Sequence, residues 1–189
     1  MAFTVVYDAC TLYPAPLRDL LMRLAQSGLV RARWSERILD ECFRSIEHER
    51  PDLTPAALLR TRTLMCAAVA DCLVSGYEDL ERSIDLPDAD DRHVVAAAVR
   101  CGAQTIVTYN LRDFPDRALA PFGIEAKHPD DFVLDAIGIS AGTVVSAVTA
   151  QAEALRNPPI GIDALLRILR ARGLEQSVVR LSVELGTSI

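Results

Sequence analysis

The stretch that decides the fold is residues 87–115, PDADDRHVVAAAVRCGAQTIVTYNLRDFP. It begins with clustered acids and continues into an alanine-rich run that indicates a helix, which Gly102 ends. Residues 104–108 then have the β-branched character of a buried strand, and polar residues follow at once. In α/β folds, ligand sites lie just beyond the carboxyl ends of the strands. The candidate site residues in this stretch are Asp88, Asp90, Asp91, Asn110 and Asp113.

Two further acids lie upstream in comparable settings. Asp8 follows the apolar strand pattern of residues 3–7, and Thr11 lies three positions later, where it could hold the carboxylate or a bound water. Glu41 lies in a predicted helix, residues 36–49, next to its apolar face, where a carboxylate needs a partner such as a cation.

Simpler explanations exist for each polar residue taken alone. Acids in a first helical turn complement the helix dipole, which explains one or two of the three clustered aspartates. Asn110 and Asp113 are common turn residues, and Asp8 could cap the turn that follows it. A site is therefore indicated by the set of residues rather than by any one member.

The order of strands and helices predicts an α/β fold with a central parallel sheet, because successive parallel strands need helical crossovers. We expect the strand at residues 30–34 to be an edge strand or the second in order. The predicted strands are residues 3–7, 30–34, 104–108 and 122–126, and the predicted helices among them are residues 17–28, 36–49, 54–73 and 92–101.

Beyond residue 127 the pattern becomes helical. We expect helices at residues 128–137, 140–155, 162–172 and 174–185, interrupted at Asn157-Pro158-Pro159 and Gly173. The predicted organisation is a first domain of residues 1–127 and a helical extension of residues 128–189. The apolar stripe of the last two helices either packs against the first domain or mediates dimerisation or docking of a partner.

The composition sets limits on function and location. The chain has 189 residues, 50% of them apolar, which is enough for one ordinary domain with a small appendage. A net charge of −6 argues against broad affinity for nucleic acid. No apolar run approaches the ~18–20 residues of a membrane span, and no signal-peptide pattern is visible, so we expect a cytoplasmic protein without membrane contact. We expect the five cysteines to be small buried hydrophobes rather than nucleophiles.

Carboxylates that meet in one cleft repel each other unless a hard cation neutralises them. Mg²⁺ and Mn²⁺ prefer such oxygen ligands. If the acids converge, the sequence predicts a metal-dependent enzyme that acts on phosphate.

The set resembles the PIN-domain ribonuclease family, and in particular the VapC-type toxins of VapBC toxin–antitoxin pairs. The matching features are Asp8 with Thr11, the helical Glu41 and the stretch 87–115. The resemblance covers roughly residues 1–127. The remaining helices resemble an extension found in one subgroup of these toxins.

The resemblance implies a three-layer α/β/α fold and an endoribonuclease that uses Mg²⁺ or Mn²⁺, acts on RNA and is restrained by a cognate antitoxin; a homo-oligomer is also allowed. Asp8, Glu41 and Asp91 would be the principal carboxylates, with Asp113 as a further catalytic candidate. Where the family often has an aspartate this chain has Asn110, so either Asn110 or Asp113 completes the site.

The resemblance also assigns supporting roles. Asp90 could exchange roles with Asp91 as a metal ligand, and Asp88 would stand behind the ligands. Thr11 would orient a water molecule. Candidate contacts to phosphate or to the RNA backbone are Arg18, Arg31, Arg33 and Arg112.

Two other functions are considered. An aspartyl-nucleophile phosphatase would explain Asp8, but such enzymes need a second aspartate where this chain has Cys10. A PIN-like module that binds RNA or a protein without cleaving is the second, and Asn110 keeps it open.

Overall fold

Five parallel strands form one sheet in the order β3-β2-β1-β4-β5 in a computed structural model that describes residues 3–156 and 158–187. The parallel sheet confirms the predicted fold class. The strand at residues 30–34 lies second from an edge. The strands are β1 Phe3–Tyr7, β2 Val30–Ser35, β3 Leu73–Val74, β4 Thr105–Val107 and β5 Glu125–Lys127.

Helices cover both faces of the sheet. Val6 and Tyr7 are adjacent on β1 and point to opposite faces, yet both are fully buried. Tyr7 contacts Phe132 edge to face and donates a hydrogen bond of 3.3 Å to the carbonyl of Leu21. This is the three-layer α/β/α arrangement. The helices are α1 Ala9–Leu12, α2 Ala15–Gln26, α3 Glu36–Glu49, α4 Pro55–Ala68, α5 Arg92–Cys101, α6 Asp116–Leu119, α7 Pro129–Ala154, α8 Ile162–Ala171 and α9 Glu175–Leu185.

The sequence prediction was wrong about the segment after α4. The helix expected to reach residue 73 ends at Ala68, and Leu73–Val74 forms an edge strand beside β2. Asp71 has a φ of 53°, a left-handed conformation that an α-helix cannot contain. That turn allows the chain to enter the sheet.

The connections of the sheet create a switch point between β1 and β4. From β1 the chain moves through β2 to β3 on one side, whereas β4 and β5 lie on the other. Loops that leave two neighbouring strands in opposite directions open a crevice at their carboxyl ends, where α/β folds bind ligands. Asp8 follows β1, and Asn110 lies three residues after β4, so both belong to this crevice.

The helices of the extension are joined to one another by a buried carboxylate. The Asp130 carboxylate accepts hydrogen bonds of 2.9 and 2.8 Å from the backbone N–H groups of Gln176 and Ser177, at the start of α9. The Ser177 hydroxyl donates in return to the Asp130 carbonyl, at 2.8 Å. The cap of α7 itself is the ring of His128, whose Nδ1 accepts from the Asp130 N–H at 3.2 Å.

Helix α7 joins two helices that the sequence predicts separately. Ser140 has a φ of −156° and a ψ of 84°, so a kink lies at the predicted break while the helix continues beyond it. By length and composition alone α7 could cross a membrane, which corrects the expectation that no segment approaches that length. The core helix of a soluble protein passes the same test, and α7 packs against α2 and α9.

The division into residues 1–127 and 128–189 stays a prediction. Its outer limits at residues 1 and 189, and Asn157 of the predicted break, lie outside the described residues.

Candidate active site

Asp8 is held by donors from both sides of the switch point. Only 5% of its surface is exposed. Its Oδ1 accepts a 2.7 Å hydrogen bond from the Ala9 N–H, so Asp8 also caps α1. Its Oδ2 accepts from the Thr108 hydroxyl at 2.7 Å and from the Cys10 thiol at 3.0 Å. Three donors therefore fix the orientation of this carboxylate.

Asp91 has a pKa raised to about 6. Burial is the largest cause, and the negative charges of Asp8, Asp88 and Asp113 add to it. Asp91 occupies the N-cap position of α5 but makes no capping hydrogen bond with its side chain. Its carboxylate is therefore not committed to the helix, and it lies in a field of unneutralised negative charge.

Glu41 is held by two basic side chains. Nε2 of the buried His93 lies 3.1 Å from Glu41 Oε1, and Nε of Arg37 lies 3.4 Å from the same oxygen. Burial raises the pKa of Glu41, but His93 and Arg37 outweigh it, so the pKa lies below its ordinary value. Neither ring nitrogen of His93 has an aligned hydrogen-bond partner among the described residues, so the contact with Glu41 is close but poorly directed.

One cleft of about 710 Å³ brings these acids together. Four predicted site residues line it: Asp8, Glu41, Asp91 and Asn110. Their convergence from β1, α3, α5 and the loop after β4 agrees with the expectation from the sequence. The other lining residues are Ala9, Cys10, Tyr13, Arg44, Ser45, His48 and Glu49.

The remaining acids of the two clusters surround the cleft without lining it. Asp88 accepts a 2.9 Å hydrogen bond from the Asp90 N–H and so caps the 3₁₀ turn at Ala89–Asp91. Asp90 is exposed, and its carbonyl accepts from Arg37 at 3.2 Å. Asp113 is half-buried and close enough to raise the pKa of Asp91. Asn110 thus faces the cleft, whereas Asp113 acts on it through charge.

Thr11 does not contact the carboxylate of Asp8. Its hydroxyl is fully buried and donates a 2.8 Å hydrogen bond to the Asp8 carbonyl. The hydroxyl that holds the carboxylate belongs to Thr108, whose Oγ1 also accepts from the Asn110 N–H at 3.0 Å. The expectation that Thr11 holds the carboxylate is wrong, because its hydroxyl donates to the Asp8 carbonyl instead. Its role in orienting a water stays a prediction.

The arginines proposed for RNA lie elsewhere. Arg112 and Arg31 are exposed, and the lining residues among those described do not include Arg18, Arg31, Arg33 or Arg112. Arg18 donates hydrogen bonds of 2.7 and 3.1 Å to the carbonyls of Leu12 and Tyr13. It therefore supports the end of α1, and its contact with RNA stays a prediction.

Several contacts of the site escape sequence reasoning. Thr108, Cys10, His93 and Arg37 each hold one of the principal carboxylates. The sequence did contain a sign of the role of Thr108, since a hydroxyl at the end of the strand beside β1 faces the same crevice as Asp8. Arg37 had a weaker one, because it precedes Glu41 by one helical turn.

The donor chemistry of the cleft fits a hard divalent cation. The lining acids offer carboxylate oxygens, and the pKa of Asp91 is raised first by burial and then by the neighbouring acids Asp8, Asp88 and Asp113. The spacing is looser than in a closed site: across residues 3–156 and 158–187, no three His, Cys, Asp or Glu side chains are grouped closely enough to hold a metal ion.

Comparisons with known proteins agree with this geometry. Residues 4–112, more than half of the chain, match the model of the PIN domain, and residues 129–182 match the model of the VapC50 C-terminal domain. The chain is 43% identical over 94 residues to "Putative ribonuclease VapC50" of Mycobacterium tuberculosis. That alignment covers 50% of this chain and 55% of the relative, so about half of each protein is compared. No solved structure matches the chain significantly. With its parallel sheet, its acidic cleft and the matching C-terminal helices, the chain belongs to the PIN domain family and is of the VapC type.

Proposed function

We propose that the protein is a Mg²⁺- or Mn²⁺-dependent endoribonuclease and the toxin of a type II toxin–antitoxin pair, restrained in the cytoplasm by a cognate antitoxin. The observation that carries the proposal is the convergence of Asp8, Glu41 and Asp91 on one cleft at the switch point of the sheet. The similarity to a ribonuclease of the VapC type supports the same reaction class.

Asp8, Glu41 and Asp91 would hold the cation, with Asn110 or Asp113 beside them and Asp90 as a further candidate. The cation would lower the pKa of a bound water and stabilise negative charge on the scissile phosphate. Asp8 is prepared for this role by its three donors. Glu41 is prepared by His93 and Arg37, which keep its pKa low and its carboxylate ionised at neutral pH.

RNA cleavage by the purified protein tests the proposal. We expect cleavage of single-stranded RNA with Mg²⁺ or Mn²⁺, none in EDTA, and a loss of at least about 100-fold on Asp91→Asn or Asp8→Asn. Expression should arrest growth, and the same substitutions should relieve the arrest. Toxicity that is unchanged by both substitutions would count heavily against a nuclease.

A PIN-like module that binds RNA or protein without cleaving is the second candidate. Asn110 in the cleft and the open spacing of the carboxylates favour it. Calorimetric titration with Mn²⁺ separates the two, since a nuclease must bind the ion and a degenerate module need not.

A further inference from the structure

The cleft continues beyond the acids along one face of α3. Glu41 is followed by Arg44 and Ser45 at three and four residues, and by His48 and Glu49 at seven and eight. Residues at these spacings share a face of a helix. All five line the same cleft as Asp8 and Asp91. His48 therefore lies about 10 Å along the helix axis from Glu41, at ~1.5 Å per residue.

This face of α3 carries basic side chains that have no ion-pair or hydrogen-bond partner among the described residues. Arg44 and His48 are exposed, and neither makes an ion pair or a side-chain hydrogen bond with any described residue. Arg62 of α4, by contrast, is paired with Asp40 of α3. With a net charge of −6, the protein cannot attract a polyanion as a whole. Any contact with RNA phosphates must therefore come from local side chains such as these.

Tyr13 lines the cleft as well, from the end of α1. Both backbone polar groups of Tyr13 are hydrogen-bonded. Its N–H donates to the Ala9 carbonyl at 2.9 Å, and its carbonyl accepts from Arg18 at 3.1 Å. The side chain is half-buried, so part of it remains open to the cleft. Aromatic side chains in such positions stack with unpaired bases, whereas the faces of a base inside a duplex are already stacked on neighbouring base pairs.

We propose that Tyr13, Arg44 and His48 form a binding wall for single-stranded RNA beside the acidic centre. Tyr13 stacks with an unpaired base, and Arg44 and His48 contact the phosphates of the adjoining nucleotides. The inference rests on the proposed function for the identity of the polymer. A solvated helix face is the alternative, and it predicts no effect of these side chains on RNA.

Fluorescence anisotropy with a labelled single-stranded RNA tests the wall directly, in an Asp91→Asn background that prevents cleavage. Arg44→Gln and His48→Gln should each weaken binding about threefold to tenfold, and Arg44→Gln, which removes a fixed charge, should reduce the slope of log K against log salt by about 0.7. The matched control is Arg60→Gln, which removes an exposed arginine of α4 outside the cleft and should change neither quantity.

The stacking contact has its own pair of variants. Tyr13→Leu should weaken binding by about fivefold or more, whereas Tyr13→Phe keeps the ring and should bind like the parent. In the chain with Asp91 intact, Arg44→Gln, His48→Gln and Tyr13→Leu should raise KM and leave kcat nearly unchanged, whereas Tyr13→Phe should change neither. Thermal unfolding of every variant checks that the fold is retained.

The outcomes separate the two proposals. If the parent binds RNA and the variants bind it more weakly, but no metal supports cleavage, the binding wall is confirmed and the nuclease proposal fails. A second outcome is that the parent cleaves RNA, while Arg44→Gln, His48→Gln and Tyr13→Leu bind RNA as tightly as Arg60→Gln. The binding wall is then refuted, and the nuclease proposal is supported. A parent that does not bind single-stranded RNA at all overturns the wall.

Discussion

At the residue scale, the carboxylates of the cleft differ in the groups that surround them and in how far these groups stabilise the negative charge. Asp8 is surrounded by hydrogen-bond donors, and Glu41 by His93 and Arg37. Asp91 has burial and three acids around it, and its pKa rises to about 6. Of the three, Asp91 is the one whose charge depends most on a cation.

The first prediction concerns the stability of the metal-free protein. The pKa of an aspartate in the unfolded chain is about 3.9, whereas the pKa of Asp91 in the folded chain is raised to about 6. Between these values the folded chain binds more protons, so this group lowers the free energy of unfolding as the pH rises. In EDTA, Asp91→Asn should therefore be more stable than the parent at pH 7 but not at pH 4.

Urea unfolding at both pH values measures this difference. Asp131→Asn, which changes an exposed aspartate of α7, serves as the control. An advantage of Asp91→Asn that is equal at pH 4 and pH 7 would contradict the prediction.

The second prediction concerns Thr108. Thr108→Val removes the 2.7 Å hydrogen bond to Asp8 Oδ2 and should cost about 1–2 kcal/mol of stability. Because Asp8 loses one of its three donors, RNA cleavage should fall as well.

Thr105→Val is the matched control, at the start of the strand β4 that leads to Thr108. Its buried hydroxyl donates to Glu125 at 3.3 Å, away from the cleft. The free energy of unfolding of Thr105→Val should fall, but the specific activity of its folded fraction should not. Equal activity losses for the two variants would show that Thr108 acts only through the fold.

At the element scale, two strand ends and two helices supply the cleft. β1 and β4 lie side by side and parallel, so Asp8 and Thr108 meet across the switch point. Helix α3 starts directly after β2 and brings Glu41 to the same edge. The sequence predicts these elements from their apolar patterns. It could not predict which side chain of Thr11 and Thr108 faces Asp8, because that depends on the register between β1 and β4.

The third prediction concerns the joint between α7 and α9. Asp130→Ala removes two hydrogen bonds from the N-terminus of α9 and should lower the free energy of unfolding by about 2 kcal/mol. Asp131→Ala, at the exposed neighbouring position, should change it by less than about 0.5 kcal/mol. Urea unfolding measures both, and equal losses would refute the assigned role of Asp130.

At the scale of the whole molecule, the cleft holds negative charge that folding alone has concentrated. The acids come from sequence positions as distant as Asp8 and Asp113, and their repulsion in the folded chain appears in the pKa of Asp91. A ligand that neutralises this charge binds the folded state and stabilises it.

The fourth prediction follows for Mn²⁺. At an ion concentration about 100 times its Kd, the free energy of unfolding should rise by about 2.7 kcal/mol. The double variant Glu41→Gln/Asp91→Asn should lose this gain, whereas Asp131→Asn should keep it. Thermal unfolding with and without the ion measures the effect, and an equal gain in the double variant would place the ion elsewhere.

The sequence by itself determined the parallel α/β fold and three of the acids that line the cleft, Asp8, Glu41 and Asp91, because apolar periodicity and strand-end polarity are local signals. Only the tertiary structure decided that Thr108 rather than Thr11 holds the Asp8 carboxylate, that Asn110 lines the cleft while Asp113 does not, and that Asp130 caps α9. Each of these depends on contacts between segments distant in the chain. Strand register and helix packing set such contacts, and no local pattern encodes them.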